Sequence, residues 1–172
     1  MIRVTYIFLL GGMFSLLELL LRNLGLFFPF CGLFVFYLAI AFGRNWGIAA
    51  AVFCGLMLDF GGMGASHPWS VLIFGGVAYL SRFWIHRVES DAILMNFLPG
   101  LVIPFLVWIL SAFFFSQHFL RVLTEQFPVL FPAAALSSIW LPMMIFLLDN
   151  LNAALALPLF TDAGLRQKLR SR

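Results

Sequence analysis

The sequence predicts an all-α integral membrane protein with six transmembrane helices. Hydrophobic residues make up 63% of the chain and charged residues only 10%, whereas soluble domains carry about 25% charged residues. Apolar stretches of about 20 residues, the length that crosses a bilayer, follow one another with short polar interruptions. We therefore expect residues 1–172 to form a single transmembrane helical domain, with no room for a soluble one.

The first three predicted spans cover residues 4–21, residues 24 or 26 to 42, and residues 46–58. Glu18 and Arg22 lie near the end of the first span, four residues apart, which is the spacing of a favourable helical ion pair. Pro29 falls at the start of the second span, where a helix tolerates proline. Gly47 and Gly55 in the third span are small residues that allow close packing of membrane helices.

The last three predicted spans cover residues 68–84, 93–115 and 133–158. Pro99 and Pro104 are expected to kink or break the fifth span, because proline removes backbone hydrogen bonds. Residues 117–127 are expected to form a separate amphipathic segment on the membrane surface. Asp149, Asn150 and Asn152 lie inside the last span, and the sequence assigns them no role.

The cations predict the orientation of the six spans. Eight of the ten Lys and Arg residues fall on the side that carries both termini, and two fall on the other side. Under the positive-inside rule, both termini are therefore cytoplasmic. The same topology explains the isoelectric point of about 9.3, so we expect no nucleic-acid partner.

The chain is organised around residues 46–84, where Asp59 and a glycine-rich turn interrupt two apolar spans. A carboxylate next to hydrocarbon needs a partner. We expect Asp59 to accept hydrogen bonds from the backbone N–H groups of Gly61 and Gly62. Ser66 and His67 follow in the same turn.

No motif in the sequence indicates catalysis, a cofactor or a metal. Ser66 and His67 are adjacent in the turn and the last span lacks histidine, so no serine–histidine dyad is expected. The chain contains no H-E-x-x-H and no P-loop. Cys31 and Cys54 lie in apolar runs without metal-ligand spacing and are expected to be buried small side chains.

The layout resembles the rod shape-determining protein MreD family. The resemblance is carried by F-Y-L-A at residues 36–39, G-L-M-L-D at 55–59, G-G-M-G at 61–64 and A-Y-L at 78–80. In that family the third span ends in Gly-x-x-x-Asp before a glycine-containing turn, and Gly55, Asp59 and Gly64 match this pattern. The resemblance implies a non-catalytic scaffold in the bacterial inner (cytoplasmic) membrane, as part of the cell-elongation machinery that supports peptidoglycan synthesis. It also implies an MreC-like membrane partner and contacts with other elongation proteins.

The MreD family is similar in its six-helix fold to the substrate-binding components of energy-coupling-factor transporters. That similarity supplies an alternative function, a vitamin-binding transporter subunit. Its pocket would need convergent polar groups, for which Glu18, Arg22, Asp59, Ser66 and His67 are the candidates. For the scaffold, the candidate structural or partner-binding residues are Glu18, Arg22, Gly55, Asp59, Gly61 and Gly64.

Overall fold

A computed structural model describes residues 2–61, 68–87, 96–115 and 119–163. Within these residues the chain forms six α-helices and no strand, which confirms the all-helical prediction. The helices are α1 (Ile2–Asn23), α2 (Phe30–Ala41), α3 (Arg44–Gly61), α4 (Trp69–Arg87), α5 (Phe97–Phe115) and α6 (Phe119–Ala154).

Three of the helices, α1, α5 and α6, are long and apolar enough to cross a membrane. This finding agrees with a membrane protein. The count of six crossings and the side of the membrane on which the termini lie stay predictions.

Helix α2 lies at the centre of the bundle. It contacts each of the other five helices, and all twelve of its residues are buried. At 1.5 Å per residue it is only about 18 Å long, compared with about 30 Å for the hydrocarbon core of a bilayer. The second span is therefore shorter than the sequence predicted, and it is surrounded by protein.

The late start of α2 follows from how α1 ends. Gly25 adopts a left-handed conformation with φ 75°, while the N–H of Leu26 donates to the carbonyl of Leu21 and that of Gly25 donates to Arg22. These two bonds form a Schellman motif, which stops a helix and satisfies its last carbonyls. Residues 26–29 are then non-helical, and α2 begins directly after Pro29.

Contacts between the helices define two ends of the bundle. The ring of Tyr6, near the start of α1, stacks on that of Phe42, just after α2, with centroids 6.2 Å apart. At the other end of α1, Glu18 contacts Cys31 at the start of α2, so these two helices are antiparallel. We call the end of the bundle at which α1 ends and α2 begins the Glu18 end. We call the opposite end, at which α2 and α6 end, the Asp149 end.

The C-terminal half differs from the prediction. Residues 117–127 were expected to form a separate surface segment, but one continuous helix of 36 residues runs from Phe119 to Ala154. It contains Pro128, Pro132 and Pro142, and α5 likewise continues through Pro104. Proline is tolerated inside membrane helices because neighbouring groups satisfy the freed backbone carbonyls.

Candidate functional site: carboxylates that cap helices

Glu18 caps the N-terminus of α2. Its side chain is completely buried, and its Oε2 atom accepts a hydrogen bond of 2.9 Å from the backbone N–H of Cys31, the second residue of α2. The first N–H groups of a helix have no partner within the helix, and a negative charge there interacts favourably with the helix dipole. Glu18 therefore stabilises the start of the central helix.

Arg22 neutralises Glu18 from the side that faces outward. Its guanidinium lies 2.7 Å from Oε1 of Glu18, and 37% of the Arg22 side chain is exposed. The ion pair predicted from the four-residue spacing is present, and the hydrogen bond to Cys31 adds a second role for Glu18. The Glu18 carboxylate thus binds both the start of α2 and the side chain of Arg22 in its own helix, α1.

Asp59 repeats this arrangement between α3 and α4. Its carboxylate accepts a 3.1 Å bond from the backbone N–H of Ser70 and a 2.6 Å bond from the Ser70 hydroxyl. Ser70 is the second residue of α4. The sequence predicted Gly61 and Gly62 as donors instead; Gly61 ends α3 as its last helical residue, and Gly62 lies outside the described residues. The donor that the described residues show comes from the next helix, because its first N–H groups lack helical partners.

Gly55 and Gly61 allow the helices around Asp59 to approach each other. A Cβ atom on Gly55 would lie 2.6 Å from the backbone N of Val71 in α4, and one on Gly61 would lie 2.6 Å from Cδ1 of Leu19 in α1. Leu19 follows Glu18, so Gly61 also brings the end of α3 to the Glu18 end. Gly64, Ser66 and His67 lie outside the residues that the structure describes.

A third carboxylate, that of Asp149 near the end of α6, forms hydrogen bonds with the residues that follow this helix. It accepts bonds from the backbone N–H of Phe160 (2.9 Å) and from both the N–H and the hydroxyl of Thr161 (3.1 Å each). The hydroxyl of Tyr37, in α2, donates to the same carboxylate at 2.7 Å. We call residues 157–163, which this contact folds back onto the bundle, the hook.

Asn152 and Phe160 complete the attachment of the hook. Nδ2 of Asn152 donates to the hydroxyl of Tyr37 at 2.7 Å and to the carbonyl of Pro158 at 3.0 Å. The Phe160 ring stacks on the Tyr37 ring, with an interplanar angle of 8° and a centroid distance of 5.7 Å. The hook is therefore bonded directly to the central helix.

The three carboxylates share one geometry. Each lies near the end of a helix and accepts a backbone N–H from the segment that follows. For Glu18 and Asp59 the donor is the second residue of the next helix, 13 and 11 residues later, and for Asp149 it is Phe160 in the hook, 11 residues later. A carboxylate with these bonds is a structural cap, and its oxygens are occupied by the chain's own donors. No protein-family model, curated protein or solved structure that was compared with the chain matches it.

The two cysteines are free and buried, as the apolar surroundings predicted. The Cys31 sulfur lies 3.4 Å from the Ser15 hydroxyl, and Cys54 lies 3.9 Å from the carbonyl of Gly11. In residues 2–61, 68–87, 96–115 and 119–163, no three His, Cys, Asp or Glu side chains are grouped so that they could hold a metal ion.

Sequence reasoning missed the network at the Asp149 end. Asp149 and Asn152 were noticed as polar residues in an apolar span, but their partners Tyr37 and Phe160 look like ordinary core residues. The available signal was the spacing of Asp149 and Asn152, because residues three apart lie on one face of a helix. Two polar side chains on one face of a membrane helix indicate a buried polar contact.

Proposed function

We propose that this protein is a non-catalytic scaffold of the bacterial cell-elongation (rod shape) machinery in the inner membrane. In this role it binds an MreC-like partner, contacts other elongation proteins and supports peptidoglycan synthesis. The observation that carries the proposal is that the buried carboxylates of Glu18 and Asp59 accept hydrogen bonds from the N-termini of neighbouring helices and so join helices. A scaffold needs a rigid body that presents fixed surfaces, and internal caps provide one.

The same observation counts against the alternative, a vitamin-binding transporter subunit. A ligand pocket at the Glu18 end would need polar groups that converge on a ligand. Glu18 instead binds Cys31 and Arg22, and Asp59 binds Ser70 through both oxygens. Using either carboxylate for a ligand would leave a helix N-terminus without its cap.

The first test is isolation of the tagged protein from membranes of a rod-shaped bacterium that produces it in place of its own MreD. We expect an MreC-like protein to co-purify and the cells to stay rod-shaped. Asp59→Leu should abolish both at matched membrane abundance, because it removes the bonds that hold α4 against α3. The matched control is Asn150→Leu, which replaces an exposed polar residue of α6 and should retain both properties.

The second test is mass spectrometry of the purified protein. The scaffold proposal expects a membrane-protein partner and no stoichiometric vitamin. A vitamin present at about one per chain, together with rod-shaped cells in the Asp59→Leu strain, would overturn the proposal in favour of the transporter subunit.

A further inference from the structure

The hook is attached to the bundle by a small set of contacts at the Asp149 end. Three of the four hydrogen bonds described at the Asp149 carboxylate come from Phe160 and Thr161, which belong to the hook. The fourth comes from Tyr37 of α2. Asn152 adds one bond to a carbonyl of the hook, while its bond to Tyr37 lies within the bundle. Both Asp149 and Asn152 therefore keep Tyr37 as a partner if the hook moves away.

The attached hook carries two energetic costs. Ala156, the residue before the hook, has φ 51°, a left-handed conformation that is strained for a residue with a Cβ atom. It occupies the position at which glycine commonly ends a helix, because the N–H of Leu157 donates to the carbonyl of Asn152. The Asn152 side chain is completely buried, and its Oδ1 atom accepts no hydrogen bond within the part of the chain that the structure describes. A buried acceptor without a partner raises the free energy of the state that buries it.

An open cavity leaves room for the hook to move. It has a volume of about 450 Å³ and is lined by Arg3 of α1, Ala153 of α6 and hook residues that include Leu157 and Leu159. Helix α1 has 22 residues and is about 33 Å long, so Arg3, near its start, lies at the level of the lipid headgroups. The Phe160 ring, which is 1% exposed in the attached hook, can enter lipid when it is released there. Since lipid is as apolar as the bundle interior, release costs less hydrophobic burial than in a soluble protein.

We propose that the hook is a releasable cover of the central helix. Residues 157–163 turn about Ala156 as one unit while α6 stays helical, and the movement uncovers the Tyr37 ring on which Phe160 stacks. The stacked ring and the bonds to Asp149 favour the closed state, whereas the strained backbone and the unpaired amide oxygen favour the open state. The Asp149 end thus alternates between two surfaces, of which only the open one offers its carboxylate oxygens to another molecule. This inference is independent of the proposed function.

The test is hydrogen–deuterium exchange of the full chain in detergent, measured by mass spectrometry at residue resolution. The N–H groups of Phe160 and Thr161 should share one protection factor, at least about tenfold lower than in the middle of α2, because local opening needs less free energy than global unfolding. Ala156→Gly relieves the strain of the closed state and should raise this protection about fivefold. Thr161→Ala removes a bond to Asp149 and should lower the protection of the Phe160 N–H about fivefold.

The matched control is Ser138→Ala, which removes a hydroxyl bonded to Ala135 within α6 and should leave the protection of the hook unchanged. Hook N–H groups as protected as those of α2 in every variant would overturn the proposal, because the hook would then open only with global unfolding. Wild-type hook N–H groups without protection would overturn it as well, since no closed state would exist in solution. Unchanged or faster exchange in Ala156→Gly would rule out the strained pivot.

Discussion

Replacing Glu18 with leucine should destabilise the protein by removing the cap of its central helix. Glu18 and Cys31 are both 0% exposed, so Glu18→Leu leaves the Cys31 N–H without an acceptor and without water. A buried, unsatisfied N–H costs about 1–3 kcal/mol, and loss of the charge at the helix N-terminus adds about 0.3–2 kcal/mol. Relief of the desolvation of Glu18 offsets part of this sum, so we expect a net loss of about 1–3 kcal/mol.

Thermal unfolding in detergent, followed by circular dichroism, measures this loss. For a chain of this size, each kcal/mol lowers the midpoint by roughly 2–4 °C. Glu18→Gln keeps an oxygen acceptor for the Cys31 N–H and should lower the free energy of unfolding by only about 0.5–1 kcal/mol. Arg22→Gln should lose less than about 1 kcal/mol, since the pair is partly exposed on the Arg22 side. If Glu18→Leu melts within about 1 °C of the wild type, or Glu18→Gln melts below Glu18→Leu, the capping role is refuted.

Three further predictions follow from the same structure. Gly55→Ala should lower the free energy of unfolding by about 1–3 kcal/mol because the new methyl group meets the backbone of α4. At Gly75 an added Cβ meets no heavy atom within 4 Å, so Gly75→Ala should raise the free energy of unfolding by up to about 1 kcal/mol through its higher helix propensity. Equal melting temperatures of the two variants would contradict this prediction. Ala156 has φ 51°, a left-handed conformation that is strained for a residue with a Cβ atom. Ala156→Gly should therefore raise the free energy of unfolding by about 1 kcal/mol, and a lower midpoint of thermal unfolding would show that no strain is relieved. A reporter enzyme active only outside the cytoplasm should give signal when fused after Gly64 and none after Arg172; the reverse pattern would refute the orientation.

Composition and spacing predicted the helices well, because the requirement that a membrane segment satisfies its own backbone leaves few alternatives. Arg22 at four residues from Glu18 predicted an ion pair that is present. The small residues of the third span predicted close packing, and Gly47 lies so close to Ala39 that an added Cβ would be 2.5 Å from the Ala39 Cβ. These inferences use only local geometry along one helix.

The partners across helices could not be predicted in the same way. Nothing in the local sequence of Asp59 indicates Ser70 as its donor, because the pairing depends on how α3 and α4 pack. Tyr37 and Asp149 are 112 residues apart, and no periodicity connects them. The length of α2 was overestimated because hydropathy continues through residues 26–29. In the structure, Gly25 and the bonds around it end α1, residues 26–29 are non-helical, and α2 begins only at Phe30.

The enclosure of α2 has a consequence for how the protein is made. The chain emerges from the ribosome in order, so α1 and α2 emerge before α3 to α6. A helix of about 18 Å that touches all five others completes its burial only when α6 arrives and Asp149 and Asn152 reach Tyr37. Chains truncated before α6 should therefore lack the partners of Tyr37 and leave the central helix incompletely covered, so that docking of the last helix is the closing step of folding.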